Sequence, residues 1–261
     1  MEIISFRDIY KDLLHRGHKV SPRGEEVIEI ENASYIFTPF QRFINFECRK
    51  LSVPYIKKEF LWYLKGDRFD NSICKYASFW KTIQNKDGSF NSNYGQYIFG
   101  IENQFDIVLN ILKKDKDSRR ASIIILKPEH INSDTKDVCC TYAINFRIRE
   151  DILNMTVHMR SNDAIFGLGN DLPCFSFIFE MMYNTLKEFY PSLEQGLYYH
   201  NVDSFHVYAR HYEMLEKIAN KDELEQVNCP KISGSKEVKF LRTLDFDGIP
   251  LEYHFIKWLT N

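Results

Sequence analysis

Apolar residues recur along the chain with two periods, one typical of helices and one typical of strands. Positions 4–14 and 54–65 have the helical spacing, and Pro54 and Gly66 mark the two ends of the second segment. Residues 152–160 instead predict a strand with one buried face, because from position 153 onward apolar side chains at odd positions alternate with polar ones at even positions. By the same criteria we predict further helices over 105–114, 175–189 and 209–219, and strands over 27–30, 121–126, 140–148 and 197–208.

The order of these elements favours an α+β fold. Helices and strands follow one another without regular βαβ alternation, so we expect a mixed β-sheet flanked by helices. No repeat and no Gly/Ser-rich linker interrupts the chain, and we expect residues 1–261 to form a single domain. We predict a long functional loop over 67–94 and a turn at 167–169, whereas the region beyond residue 219 is more polar.

Composition narrows the range of functions. The chain has 34 basic and 36 acidic side chains and a formal net charge of −2, which argues against a protein that coats nucleic acid. No apolar run reaches the roughly 18 residues that span a bilayer, and the charged N-terminus does not resemble a signal peptide. We therefore expect a cytoplasmic protein with no membrane partner.

Cysteine and histidine spacing gives no indication of a disulfide framework or a metal site. The six cysteines include no C-x-x-C pair. We predict that His200, His206 and His211 lie on different elements, and no H-E-x-x-H pattern occurs, so we predict no metal.

Polar groups at strand ends are the candidates for chemistry. Arg119 and Arg120 precede one predicted strand, and Arg160 and Ser161 end another, which would suit a phosphate dianion. Each pair alone is more often a solvated surface feature. Cys140 begins a strand, where a free cysteine usually packs as a small apolar side chain, but nearby arginines would make it a thiolate nucleophile.

Several ordered motifs resemble the thymidylate synthase superfamily, and within it more the phage deoxycytidylate hydroxymethylases. The resemblance covers about residues 20–215. It rests on Glu59 in EFLWYLKGD, Trp80, NSNYG at 91–95, DSRR at 117–120, Cys140-Thr141, MRSND at 159–163, GLG at 167–169 and HVY at 206–208.

The resemblance implies a one-carbon transfer from 5,10-methylenetetrahydrofolate to C5 of a pyrimidine nucleoside monophosphate. It also implies a sheet that lies at a dimer interface. Cys140 would add to C6 of the pyrimidine, while Glu59 and Tyr94 would supply acid and base functions.

The resemblance further implies where the substrates bind. Arg119 and Arg120 would reach across an obligate homodimer to the partner's phosphate site, which Arg160 and Ser161 complete in cis. For the remaining contacts, the match gives Arg23 to the phosphate, His206 and Tyr208 to the sugar, and Trp80, Asp163 and Gly167 to the folate.

Asp171 bears on which pyrimidine base is bound, because by the resemblance it stands where thymidylate synthases carry an asparagine that pairs with uracil. Cytosine offers an N4 donor and an N3 acceptor, so a carboxyl group that shares a proton with N3 is complementary. The alternative is that Asp171 is only the N-cap of a helix.

Asn162, replacing a common glycine, would position the water that hydrates the transferred carbon, giving a 5-hydroxymethyl product. Thr141 and Ile83 replace a histidine and a tryptophan of thymidylate synthases and weaken the methylation alternative. That alternative, a dCMP or dUMP methyltransferase releasing dihydrofolate, remains open. So do a CMP hydroxymethylase and a catalytically silent nucleotide-binding homologue.

Overall fold

A mixed β-sheet forms the centre of the computed structural model, which describes residues 3–131 and 134–261. The strands within these ranges are β1 (His18–Val20), β2 (Val27–Phe37), β3 (Ser122–Ile124), β4 (Thr141–Arg149), β5 (Ile152–Met159), β6 (Asn162–Asp163) and β7 (Glu194–Tyr208). Their order is β1-β2-β7-β5-β4-β3, with β6 also paired to β7. β7 runs antiparallel to β2 and parallel to β5, which confirms the predicted α+β class.

Helices surround this sheet. They are α1 (Phe6–Arg16), α2 (Val53–Lys65), α3 (Phe79–Ile83), α4 (Gly95–Ile98), α5 (Gln104–Lys114), α6 (Pro128–Ile131), α7 (Gly167–Lys187), α8 (Tyr212–Asn220), α9 (Ser235–Thr243) and α10 (His254–Thr260). No helix in the described ranges is both long and apolar enough to cross a bilayer.

The alternating pattern of β5 is confirmed. Leu153, Met155 and Val157 are fully buried, whereas Asn154 and Thr156 between them are half-buried. The predicted strand at 121–126 is shorter and lies at the sheet edge as β3, where Ile124 is 49% exposed. An edge strand has a neighbour on one side only, which the continuous apolar run did not reveal.

Helix α2 matches its prediction. The Ser52 hydroxyl accepts the Tyr55 backbone N–H at the first turn, and Gly66 ends the helix with a left-handed φ of 61°. A side chain at Gly66 would also approach the backbone nitrogen of Gly100 to 2.7 Å. The cap and the close approach fix the helix that carries Glu59.

Helix α7 begins eight residues before the predicted start at 175. The prediction that Gly167 and Gly169 form a loop turn is wrong, because both lie in the first turn of this helix. A Cβ at Gly167 would lie 2.9 Å from Asn162 Nδ2, and one at Gly169 would lie 2.7 Å from Arg49 Nη2. The glycines therefore allow two polar side chains to lie against the helix start. Phe166 is the N-cap, so the alternative that Asp171 is only a cap is wrong.

The polar C-terminal region contains α9 and α10, which the sequence pattern did not predict. Glu237 is fully buried between them, and its carboxylate accepts the backbone N–H groups of Ser233 and Ile256 at 2.6 and 3.1 Å. One buried carboxylate thus joins two helices that are too short for a clear periodic signal.

Candidate active site

Residues from five parts of the fold converge near Cys140, which lies just before β4. Glu59 comes from α2, Arg160 from the end of β5, Asn162 from β6 and Asp171 from α7. Electrostatic coupling supports their proximity, since the charges of Arg160 and Asp171 act on the pKa of Cys140. Tyr94 also belongs to this group, because the charge of Cys140 acts on its pKa.

The Arg160 guanidinium holds the segment that carries Cys140. Its Nε donates to the carbonyl of Cys139 at 2.9 Å, and its Nη2 donates to the carbonyl of Val138 at 2.7 Å. The same Nη2 lies 3.5 Å from Cys140 Sγ. Burial raises the pKa of the Cys140 thiol, and the charges of Arg160 and Arg23 oppose that rise. The site therefore holds a thiol with a guanidinium already at its sulfur.

Glu59 is a buried acid held from one side. Its Oε1 accepts the Tyr55 hydroxyl at 3.1 Å, and the Tyr55 oxygen accepts the indole N–H of Trp80 at 2.9 Å. Its Oε2 is buried and has no hydrogen-bond partner among residues 3–131 and 134–261. Burial, followed by the charge of Asp171, raises the pKa of Glu59 to about 8. Glu59 is therefore mainly protonated at neutral pH, with one oxygen free.

Tyr94 lies against the apolar side of the site. Its ring stacks on Phe175 at 6.0 Å and packs against Tyr63 at 5.6 Å. Burial, with the charges of Cys140 and Asp171, raises the pKa of Tyr94 well above its ordinary value. Its hydroxyl is therefore protonated at neutral pH.

Asp171 is held by Asn162. Asn162 Nδ2 donates to Asp171 Oδ2 at 2.7 Å. Burial raises the pKa of Asp171 to about 7, and the Asn162 hydrogen bond opposes the rise. A proton can thus be taken up or released by this carboxyl group at neutral pH.

Two strand residues that sequence reasoning did not assign to the site complete this arrangement. His200 Nε2 lies 3.3 Å from Asn162 Oδ1, and His200 Nδ1 lies 2.9 Å from the Tyr198 hydroxyl. Burial lowers the pKa of His200 to about 3, so the ring is neutral. The available signal was a histidine that follows two tyrosines in a predicted strand, where a buried ring needs hydrogen-bond partners.

His206 and Tyr208 lie on the same face of β7, with ring centroids 5.1 Å apart. The prediction that the three histidines occupy different elements is wrong for His200 and His206, which share β7, while His211 follows in a 3₁₀ turn. Elsewhere among the described residues, His18, Glu29 and Glu31 place ligand atoms within 4.8 Å of one another, an arrangement that the sequence spacing did not suggest.

The residues predicted to contact folate lie near two ends of the site. Trp80 on α3 packs against Trp62 with ring centroids 4.9 Å apart. The Asp163 carboxylate accepts the backbone N–H groups of Ile165 and Phe166 at 3.1 and 3.0 Å, just before Gly167 begins α7.

The remaining predicted phosphate contacts are spread over the surface. Ser161 is half-buried between β5 and β6, and Arg23 is exposed in a turn with φ of 55°. Arg119 and Arg120 are exposed before β3, and neither side chain has a hydrogen bond or ion pair within the described part of the chain. The structure thus brings Arg160 to Cys140 but leaves Arg119 and Arg120 free.

Comparison with known proteins agrees with this geometry. The family model "Thymidylate synthase" matches residues 4–255. The deoxycytidylate 5-hydroxymethyltransferase of Enterobacteria phage T6 is 30% identical over 213 residues, covering 78% of this chain and 85% of the relative. The deoxyuridylate hydroxymethyltransferase of Bacillus phage SP01 is 30% identical over 254 residues, covering 89% of this chain and 65% of the relative. A thymidylate synthase of Fusobacterium nucleatum is 27% identical over 200 residues, covering 74% and 69%. These enzymes share one-carbon transfer to a pyrimidine nucleotide with methylenetetrahydrofolate as cosubstrate, and the chain belongs to their family, the thymidylate synthase family.

Proposed function

We propose that the protein transfers a one-carbon unit to C5 of a cytidine monophosphate nucleotide and hydrates it to the 5-hydroxymethyl product. The favoured substrate is dCMP, and CMP is the second. The observation that carries this proposal is Asp171, a half-buried carboxyl group with a pKa of about 7 that is hydrogen-bonded to Asn162 beside Glu59 and Cys140. The names of the phage T6 and T2 relatives support the same substrate and product.

Base recognition follows from the chemistry of a shared proton. Cytosine has an acceptor at N3 and a donor at N4, so a protonated carboxyl oxygen can donate to N3 while the other accepts from N4. A pKa near 7 makes that protonated form available at neutral pH. Asp171 is therefore proposed to read cytosine.

Catalysis begins at Cys140. Its thiol gives a proton to solvent and the thiolate sulfur bonds to C6. The electron pair of the C5–C6 double bond moves to C5, which becomes nucleophilic. The Arg160 guanidinium at 3.5 Å stabilises the thiolate as it forms. After C5 has gained the one-carbon unit, the C5 proton leaves to a water molecule, which the protonated hydroxyl of Tyr94 is proposed to hold.

The final step distinguishes hydroxymethylation from methylation. Departure of the folate carrier would leave an exocyclic methylene at C5. Water bonds to this methylene carbon and gives up one proton. The sulfur then leaves C6 as a thiolate, which takes up a proton, and the C5–C6 double bond is restored. Asn162 and the free Oε2 of Glu59 are the polar groups proposed to hold that water. Both groups lie near Asp171, since Asn162 is hydrogen-bonded to it and its charge raises the pKa of Glu59, and this supports the assignment.

The residues present fit a bound folate. Methylenetetrahydrofolate would supply the one-carbon unit. The carboxylate of Asp163 can accept N–H groups of a pterin, and the protonated Oε2 of Glu59 can donate to an acceptor of the folate. Trp80 offers an aromatic surface near Glu59. Gly167 leaves room at the start of α7 because a side chain there would meet Asn162.

A homodimer completes the phosphate site in this proposal. Arg160 and Ser161 serve in cis, together with Arg23, whose charge acts on Cys140. Arg119 and Arg120 are exposed and without partners in the described part of one protomer, which suits donation to the partner's phosphate. His206 and Tyr208 are proposed to hold the sugar. The match over 4–255 supports one catalytic domain spanning 1–261.

The test is incubation of purified protein with methylenetetrahydrofolate and, separately, dCMP, CMP or dUMP. Tritium release from C5, dihydrofolate absorbance and product mass are followed together. A hydroxymethylated cytosine nucleotide without dihydrofolate supports the proposal. The alternative function is a dUMP or dCMP methyltransferase, favoured by the thymidylate synthase relatives, and dihydrofolate with a methylated product would establish it instead.

A further inference from the structure

Four side chains form a hydrogen-bonded chain that ends at the proposed base-reading group. It runs from Tyr198 through His200 and Asn162 to Asp171, with separations of 2.9, 3.3 and 2.7 Å. His200 is fully buried, and Tyr198 and Asn162 are 1% and 3% exposed. Buried polar groups in such a chain must each match a donor to an acceptor.

The direction of this chain follows from the donor and acceptor at each atom. Asn162 donates through Nδ2 to Asp171, so its Oδ1 is left to accept from His200 Nε2. A neutral histidine carries one ring proton, and that proton must therefore lie on Nε2. His200 Nδ1 then accepts the hydroxyl proton of Tyr198.

In the reverse direction every hydrogen bond of the chain can still form, but the Tyr198 hydroxyl loses its acceptor. It needs the Asn162 amide flipped, the ring proton on His200 Nδ1, and a proton on Asp171 Oδ2 that donates to Asn162. The Tyr198 oxygen would then accept from His200, and its own O–H would be buried without an acceptor in the described part of the chain. A buried hydroxyl without an acceptor is unfavourable. Tyr198 therefore favours the observed direction.

The direction decides which oxygen of Asp171 can carry a proton. In the observed direction Oδ2 accepts from Asn162, so a proton on the carboxyl group lies on Oδ1. The reverse direction places it on Oδ2. Cytosine fits a proton on Oδ1, because N3 accepts that proton while Oδ2 can also accept from the N4 donor. Uracil donates at N3 and accepts at position 4, so it needs a donor at Oδ2, and the reverse direction gives the Oδ2 proton to Asn162 instead.

We propose that His200 is a specificity-positioning residue, which fixes the Asn162 amide and thereby the protonated oxygen of Asp171, so that the site accepts one pyrimidine base and disfavours the other. This inference rests on the proposed role of Asp171 in reading the base. His200 and Tyr198 touch no substrate in this proposal and act only through Asn162. A carboxyl group without this constraint would pair with either base by moving its proton.

The experiment compares dCMP and dUMP in Tyr198→Phe, His200→Leu and His200→Gln proteins. The readouts are the ratio of kcat/KM and the ratio of Kd for the two nucleotides. Tyr198→Phe and His200→Leu are expected to bring either ratio about tenfold closer to one, the effect of one lost hydrogen bond. His200→Gln keeps an N–H donor near the position of Nε2 and is expected to retain most of the discrimination.

A matched control is Tyr190→Phe, which removes a tyrosine hydroxyl that donates to Leu112 and Lys113 carbonyls outside the site. Equal losses for both nucleotides, with an unchanged ratio, would overturn the inference, because that is what a loosened structure produces. A wild-type protein that prefers dUMP would contradict the proposed substrate. A dCMP/dUMP ratio that moves toward one in Tyr198→Phe and His200→Leu would still support the role of His200. If neither nucleotide is turned over, the Kd ratios alone decide the role of His200.

Discussion

The Tyr55 hydroxyl donates to Oε1 of Glu59 at 3.1 Å, so a side chain one helical turn earlier orients the buried acid. Replacing Tyr55 with Phe removes this donor and leaves Trp80 without its acceptor. We expect kcat to fall about tenfold while nucleotide Kd is unchanged. Because the lost bond lowers the pKa of Glu59, the alkaline limb of the kcat profile should move to higher pH.

The Tyr190→Phe protein serves as the control for Tyr55→Phe and should keep the wild-type profile. A lower kcat with an unshifted alkaline limb would mean that Tyr55 supports the packing around Glu59 and not its protonation.

Stability should depend on pH through Glu59. Burial raises its pKa from an ordinary 4.5 to about 8, so the folded protein keeps a proton that the unfolded chain releases. Stability from this group is complete below about pH 4.5 and is lost as pH rises through about 8, at up to about 1.4 kcal/mol per pH unit. In Glu59→Gln no proton is released, so its Tm relative to wild type should rise from pH 5 to pH 8.

Thermal unfolding at several pH values measures this difference. Glu252→Gln, at an exposed glutamate, should give a constant Tm difference over the same range. A constant difference in Glu59→Gln as well would mean that Glu59 is ionised in the folded protein.

Cys140 and Cys139 are adjacent but should differ in their effect on catalysis. Cys140→Ser is expected to abolish tritium release from C5 and to form no covalent complex with 5-fluoro-dCMP by intact mass. Cys139 is fully buried with its thiol directed to the Asn91 carbonyl at 3.1 Å, and Cys139→Ser keeps that donor. It should retain both signals, and loss of the covalent complex in Cys139→Ser alone would exchange the two assignments.

Hybrid dimers test the proposed exchange of arginines. Cys140→Ser and Arg120→Ala homodimers should each be nearly inactive. Unfolded and refolded together, they should recover about a quarter of wild-type activity, because half of the dimers are mixed and each has one complete site. The control mixture of Cys140→Ser with Glu59→Gln should recover none, since both groups serve the same protomer's site. Equal recovery in the two mixtures would contradict donation across the interface.

Gly95 holds the segment of Tyr94 against α2. A Cβ at this position would overlap the carbonyl of Tyr63, which is backbone and cannot turn aside. Gly95→Ala should therefore destabilise the protein by roughly 1–3 kcal/mol and displace Tyr94 from Phe175. Urea unfolding measures the first effect and tritium release the second. Ile101→Ala, on the same segment but fully exposed, should change neither.

Local sequence patterns predicted the elements whose ends and faces they specify. Helix α2 begins and ends at its Pro and Gly signals, and β5 buries the side chains that its alternation assigned to the core. The start of α7 was missed because two glycines and Pro173 are unfavourable in a helix. The two glycines are explained only by tertiary packing, since Asn162 lies against Gly167 and Arg49 against Gly169.

The site residues that belong to a sequence motif were predicted. Those that reach the site only through tertiary contacts were missed. Tyr55 is recognisable through Trp80, some 25 residues away, and His200 through Asn162, some 38 residues away. Neither pair has a local spacing signal. The buried Glu237 likewise stabilises helices through contacts that no periodicity expresses.

Because β7 lies between β2 and β5, the part of the site that it carries should resist local unfolding more strongly than the rest of the site. Strand β7 carries His200, His206 and Tyr208. It pairs with β2 on one side and with β5 and then β6 on the other as far as His206, whereas Tyr208 pairs with β2 alone. Trp80 belongs instead to a short helix within the irregular stretch 67–94, where fewer backbone bonds must break for a segment to open. Transient opening will therefore release the support of the buried acid earlier than the groups that recognise the nucleotide. Hydrogen exchange should show two protection levels within one active site, with a partly opened protein that still binds nucleotide but has lost its chemistry.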